Sequence, residues 1–173
     1  MSYSIREMRK EEYSLLSDFL YEAIYIPDGT AAPPKSVITC PELQVYIADF
    51  GNSKHDKALI VEVDGNIVGA IWARIMNDYG HIDENTPSLA MSVLKAYRGM
   101  GIGTLLLTQM LLAEKAAGYA KISLCRTGKI GGTHVYFKTC WEDIITAGMA
   151  DPFCDRLGSK DDSTDLCSCQ RDP

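Results

Sequence analysis

The run Arg98-Gly99-Met100-Gly101-Ile102-Gly103-Thr104 stands between an apolar stretch and a long helical one, and it restricts the possible folds more than any other feature of the chain. Glycine has no Cβ, so the backbone of such a turn can come close to a ligand. The unsatisfied N–H groups and positive dipole end of a following helix favour phosphate there. The helix itself is written in strong helix formers, TLLLTQMLLAEKAAG, and closes on Gly118, a natural stop. A strand must therefore enter this turn and a helix must leave it. A Walker A loop would need Gly-Lys followed by Ser or Thr, and a dinucleotide fingerprint would need glycine where Thr104 stands. Neither pattern fits, so the turn reads as an anion cradle of another kind.

The remaining elements follow from periodicity. Residues 4–9 alternate as a short strand, and residues 11–24 carry Leu15, Leu16, Phe19, Leu20, Ala23 and Ile24 at helical spacing. Pro27, Gly29, Pro33 and Pro34 make residues 26–34 a loop able to border a pocket, and Pro41 suits the first turn of a short helix over 41–50. Residues 58–63 and 67–76 are apolar, β-branched runs joined by Asp64-Gly65-Asn66, a hairpin signal. Strands are expected at 88–94 and 119–125, a short helix at 133–140 and a last strand at 141–147. This order predicts a mixed α/β fold with a meander of consecutive strands, not a doubly wound βαβ chain.

A chain of 173 residues favours one domain, here residues 1–147, followed by a polar, weakly ordered tail over 148–173. The net charge of −6 has the wrong sign for a nucleic-acid partner. No apolar stretch is long enough for a spanning helix and the N-terminus is charged, so no membrane is expected and the cytoplasm is the expected location. The six cysteines are expected as free thiols, and Cys167 and Cys169 form a lone CxC pair without zinc-finger spacing, so no metal is expected.

The wider segment, LAMSVLKAYRGMGIGTLLL from Leu89 to Leu107, resembles the coenzyme-A-binding segment of the GNAT N-acetyltransferase superfamily, whose signature places Arg or Gln before two spaced small residues. Arg98, Gly101 and Gly103 match that signature, and the order of elements matches over residues 3–125. The resemblance implies a central mixed, mostly antiparallel sheet flanked by helices and splayed between strands 4 and 5, with acetyl-CoA in the gap as cosubstrate. Carried over by position, the cofactor contacts fall on Val93, Leu94 and Lys95 at the strand end and on Arg98, Gly99, Met100, Gly101, Ile102, Gly103 and Thr104. Lys95 stands where the superfamily most often has proline.

The implied chemistry is direct attack of an amine on the thioester in a ternary complex. An amine with a pKa near 10 must lose a proton, the thioester oxygen must meet backbone donors such as the N–H of Val93, and the departing thiolate must gain a proton. Tyr136, in the VYFK segment, matches the tyrosine that serves as that acid in many members. For the base the candidates are Glu84, His81 and Glu22, with water relaying the proton, while Ser88 occupies a position where some relatives carry a carboxylate. Tyr21, Glu22, Tyr25 and Trp72 are candidates to line the amine pocket.

Residues 126–141 depart from the superfamily pattern: the usual coenzyme-contacting asparagine falls on Ile130, and the usual Gly-Phe falls on Cys140-Trp141. The resemblance implies a small-molecule or peptide amine as the partner. The rival expectation is a catalytically silent, coenzyme-A-binding sensor or interaction module. Homodimerisation is common in the superfamily, with no interface legible here.

Overall fold

Asp64 and Gly65 adopt positive φ values of 49° and 82°, the backbone that a two-residue hairpin turn demands and that the Asp-Gly pair supplies at little cost. On either side of them the β-branched runs pair antiparallel as β2 (Lys57–Val63) and β3 (Asn66–Arg74), with Val63 opposite Asn66. The computed structural model describes residues 3–24, 26, 29, 31–78, 81–130 and 133–140, with the backbone alone from residue 125 onward. The expected strand at 141–147 and tail at 148–173 lie outside the described residues.

Four more strands complete the sheet: β1 (Tyr3–Glu7), β4 (Ser88–Val93), β5 (Ser123–Ile130) and β6 (Thr133–Cys140). The six-stranded sheet runs in chain order, antiparallel throughout except where β4 and β5 lie parallel. That parallel pairing spans only Ser88 opposite Ser123 and Leu89 opposite Leu124, so the two strands part before β4 ends. The expected mixed, mostly antiparallel sheet with a splay between strands 4 and 5 is therefore present.

Alternation along β2 and β3 sends neighbouring side chains to opposite faces, and each face has its own helix. Helix α1 (Leu16–Ala23) lays Leu16, Phe19 and Leu20 against Met8, Ala58, Ile60, Ala70, Trp72 and Ala90. A 3-10 turn over Lys10–Leu15 precedes it, so the expected single helix begins as a tighter coil. On the other face α3 (Ile102–Ala116) packs Ile102, Leu106, Leu107 and Met110 onto Val61, Val68, Ile71, Leu89 and Ile122. Fully burying each such side chain contributes about 1.5–3 kcal/mol before ordering entropy is subtracted. At Gly69 a Cβ would sit 3.0 Å from Val61 Cγ1 and 3.3 Å from Leu106 Cδ1, so glycine lets α3 approach the sheet.

Two expectations are corrected. Residues 133–140 form strand β6, paired antiparallel with β5 from Ser123 opposite Cys140 to Ile130 opposite Thr133, and not a helix. The segment THVYFKTC is dense in β-branched and aromatic residues, which favour a pleated surface. The helix expected over 41–50 is limited to α2 (Pro41–Gln44) and gives way to turns up to residue 50.

Arg6 clamps the sheet edge to the chain that follows it. Its guanidinium donates to both oxygens of Glu12, at 2.7 and 2.8 Å, and to Glu62 Oε1 on β2 at 2.7 Å. The Arg6 hydrogen bonds, reinforced by the Arg9 backbone N–H, hold the Glu12 carboxyl down at about 2.

Candidate active site

Where β4 ends, the chain turns through a 3-10 coil at Lys95–Tyr97 and then through Gly99 and Gly101, at φ 78° and 77°. Only glycine adopts that backbone without strain. Gly101 is the cap of α3, and the first helical hydrogen bond runs from the Leu105 N–H to the Gly101 carbonyl at 3.1 Å. Among the described residues no acceptor faces the backbone N–H groups of residues 99–104. A Cβ added at Gly99 or Gly101 would meet nothing within 4 Å, and one at Gly103 would meet only Met91 Cε at 3.7 Å. The turn is thus a ring of free donors at the positive end of a 15-residue helix, with open space above it. Its geometry fits a diphosphate.

The strand leading into this turn presents a second set of donors. The Leu94 N–H is used by the Val68 carbonyl of the β3 segment at 2.9 Å. Peptide groups alternate in direction along a strand, so those of Met91 and Val93 point the other way, toward the side from which β5 has departed. At the opposite end of β4 that same side is closed, because the Ser123 N–H donates to the Pro87 carbonyl at 2.8 Å. The gap between β4 and β5 therefore runs from Leu89 to the glycine turn, with backbone donors along one wall.

Arg98 ties three segments together at the cradle. Its Nε donates to the Val93 carbonyl at 2.7 Å, and its Nη2 reaches the Glu22 carbonyl at 3.2 Å and Glu22 Oε2 at 3.3 Å. Glu22 thus stands at the end of α1 beside the cradle, in an ion pair with Arg98. Lys95 and Met100 are exposed beside the turn, with Ile102 buried beneath it. Val93, Leu94 and residues 98–104 are brought together as one continuous wall.

Glu84 and His81 lie at the far end of β4. Glu84 is solvent-exposed, with a side chain 82% accessible and His81 Nε2 at 3.9 Å. His81 is anchored by Nδ1 to the Met76 carbonyl at 3.0 Å. Beside them stands a carboxylate that sequence reasoning missed. Asp78 is half-buried; its Oδ1 accepts from Ser88 Oγ at 2.9 Å and its Oδ2 from Tyr46 OH at 3.1 Å. A carboxylate from the loop after β3 thus stands against Ser88, the position where some relatives carry one on the strand itself. The only sequence signal for it is its place at the start of the polar, turn-rich segment over 78–87.

The aromatic candidates divide. Trp72 is fully buried in the core, its Nε1 donating to the Tyr46 carbonyl at 3.0 Å, so it lines no pocket. Tyr21 donates its OH to the Pro33 carbonyl at 2.6 Å and so braces the loop that follows α1. Tyr25 lies outside the described residues. Tyr136 lies on β6 opposite Thr127 of β5, the strand that forms the other wall of the gap. Among the described residues no group of three or more His, Cys, Asp or Glu side chains is arranged to hold a metal, and no helix is long and apolar enough to cross a membrane.

The family described as the acetyltransferase (GNAT) family matches residues 19–139. No curated protein matches the chain. Among solved structures, similarity extends to an acetyltransferase of the GNAT family from Staphylococcus aureus Mu50, at 20% identity, TM-score 0.54, over 79% of this chain and 97% of that one. A GNAT family acetyltransferase from Brucella melitensis in complex with acetyl-CoA is similar at 19% identity and TM-score 0.52, over 81% and 88% of the two chains. A PaiA N-acetyltransferase from Thermoplasma acidophilum in complex with coenzyme A is similar at 16% identity and TM-score 0.53, over 82% and 100%.

Proposed function

Because the chain belongs to the acetyltransferase (GNAT) family, whose cosubstrate is acetyl-CoA, we propose that it transfers the acetyl group of acetyl-CoA directly to an amine within a ternary complex. The observation that carries this reading is the set of free N–H groups over residues 99–104 at the start of α3, opening onto the gap between β4 and β5. When bound, the cosubstrate supplies a thioester already activated for acyl transfer.

The chain's own residues then have four tasks. Residues 99–104 hold the diphosphate through backbone donors, and Arg98 keeps the turn in shape by its bond to the Val93 carbonyl. The N–H groups of Met91 and Val93, facing the gap, stabilise negative charge as it develops on the thioester oxygen. The acceptor ammonium gives its proton to the carboxylates at the start of β4. Glu84 is one candidate, and Asp78 is the better seated, since two hydroxyls fix both of its oxygens on the α1 side of the sheet. Tyr136 is assigned the proton that the departing thiolate takes up, on the family resemblance and on its place in the strand paired with β5.

Residues 1–147 are proposed as the catalytic domain, acting in the cytoplasm on a small-molecule or peptide amine. Release of free thiol from acetyl-CoA with a panel of primary amines tests the reading. Turnover above the buffer rate supports an enzyme, whereas saturable acetyl-CoA binding without turnover of any amine favours the silent sensor.

A further inference from the structure

A second cavity, of about 470 Å³, lies at the other end of α3, between the start of β2, the loop before β4 and the turn after the helix. A 15-residue helix separates it from the cradle by about 20 Å. The volume is within the range of small-molecule sites. Its walls include Lys54, His55, Lys57, Asn85, Glu114 and Tyr119.

Glu114 is the unusual member. It projects from α3 into the cavity floor with 1% of its surface exposed, and neither carboxylate oxygen has a hydrogen-bond partner. The nearest cation, Lys57 Nζ, stands 4.0 Å away, too far for a hydrogen bond, and donates to the Ala113 carbonyl at 3.3 Å instead. A buried carboxylate left in this condition is expensive, and the native solution is a donor placed against it. Burial pushes the Glu114 carboxyl up, opposed in part by Lys57. His55 and Tyr119 are occupied with each other through Nδ1 and the phenol oxygen, so neither serves Glu114.

The rim carries the opposite deficit. Lys54 is exposed and makes no ion pair among the described residues, and the Asn85 side chain makes no hydrogen bond there. An unsatisfied acceptor at depth and an unpaired ammonium at the mouth call for a ligand with a donor cation at one end and an anion at the other. We propose that this cavity is a binding site for a small zwitterion of the α-amino-acid type. Its ammonium goes to Glu114 as Lys57 swings aside, and its carboxylate goes to Lys54 and the Asn85 amide. The site does not depend on the acetyl-transfer reading, since it shares no residue with the cradle.

Titration calorimetry of the full chain with glycine, L-serine and L-glutamine, beside acetate and ethylamine as singly charged controls, tests the proposal. Saturable binding of at least one amino acid is expected, about tenfold or more tighter than either control and unchanged by saturating coenzyme A. Glu114→Gln and Lys54→Ala are each expected to weaken it about tenfold or more. If Glu114→Gln melts early, the exposed Lys54→Ala decides alone. The proposal is overturned if no amino acid binds, if a control binds as tightly, if coenzyme A removes the binding, or if the folded variants bind like the parent.

Discussion

Ser88 Oγ donates a 2.9 Å hydrogen bond to Asp78 Oδ1, which sets a carboxylate from the loop after β3 over the first residue of β4, where β4 and β5 are still paired. From there the gap opens toward the glycine turn. The Tyr46 hydroxyl donates to the other carboxylate oxygen at 3.1 Å, so both oxygens of Asp78 are held in place.

Asp78→Asn keeps the shape and removes the proton acceptor, so turnover should fall by about 10²–10⁴ with a smaller change in acetyl-CoA affinity. Glu84→Gln, at an exposed side chain, should cost less than about threefold, as surface changes usually do. Steady-state kinetics of the two variants checks this, and the reverse order would move the base to Glu84.

Tyr136→Phe should lower turnover while leaving acetyl-CoA affinity within about twofold, because the phenol is assigned to the departing thiolate and not to binding. Pre-steady-state thiol release measures the effect directly. Equal turnover would remove Tyr136 from the chemistry.

Glu12 carries the pH dependence of the sheet edge. Its folded carboxyl titrates at about 2, below the ordinary 4.5, because Arg6 and the Arg9 N–H favour the charged form. A lowered carboxylate stabilises the fold above the unfolded value and loses that contribution as pH falls from about 4.5 toward about 2. Acid unfolding followed by circular dichroism should therefore show a shallower loss in this window for Glu12→Gln than for the parent, with the variant less stable at neutral pH.

Leu106 is fully buried where α3 meets β3. Leu106→Ala should cost about 2–5 kcal/mol, from lost transfer energy and the cavity left behind. Urea unfolding measures it, and a loss below about 1 kcal/mol would mean that α3 packs more loosely than described.

The features legible in the sequence are those encoded locally. The Asp64-Gly65 turn, the helix stop at Gly118 and the glycine cradle each depend on a few adjacent residues whose backbone preferences are strong. Asp78 was not legible, because its meaning arises from Tyr46 and Ser88, 32 and 10 residues away in the chain. Trp72 looked like a pocket aromatic because spacing on a strand does not say which face is covered; α1 covers that one. The helix expected over 133–140 runs against the β-rich composition of that segment, and the strand pairing with β5 follows that composition.

The diphosphate cradle is the central claim. Gly103 has ordinary helical backbone with room beside it, so Gly103→Asp sets a carboxylate in the first turn of α3 without strain, where the helix dipole favours it. Gly101→Asp adds the same charge at a position whose φ of 77° disfavours any side chain. Titration calorimetry with acetyl-CoA should show saturable binding to the parent and none to either variant, with the Gly103→Asp protein melting like the parent. No binding to the parent, or equal binding to parent and Gly103→Asp, would contradict the cradle.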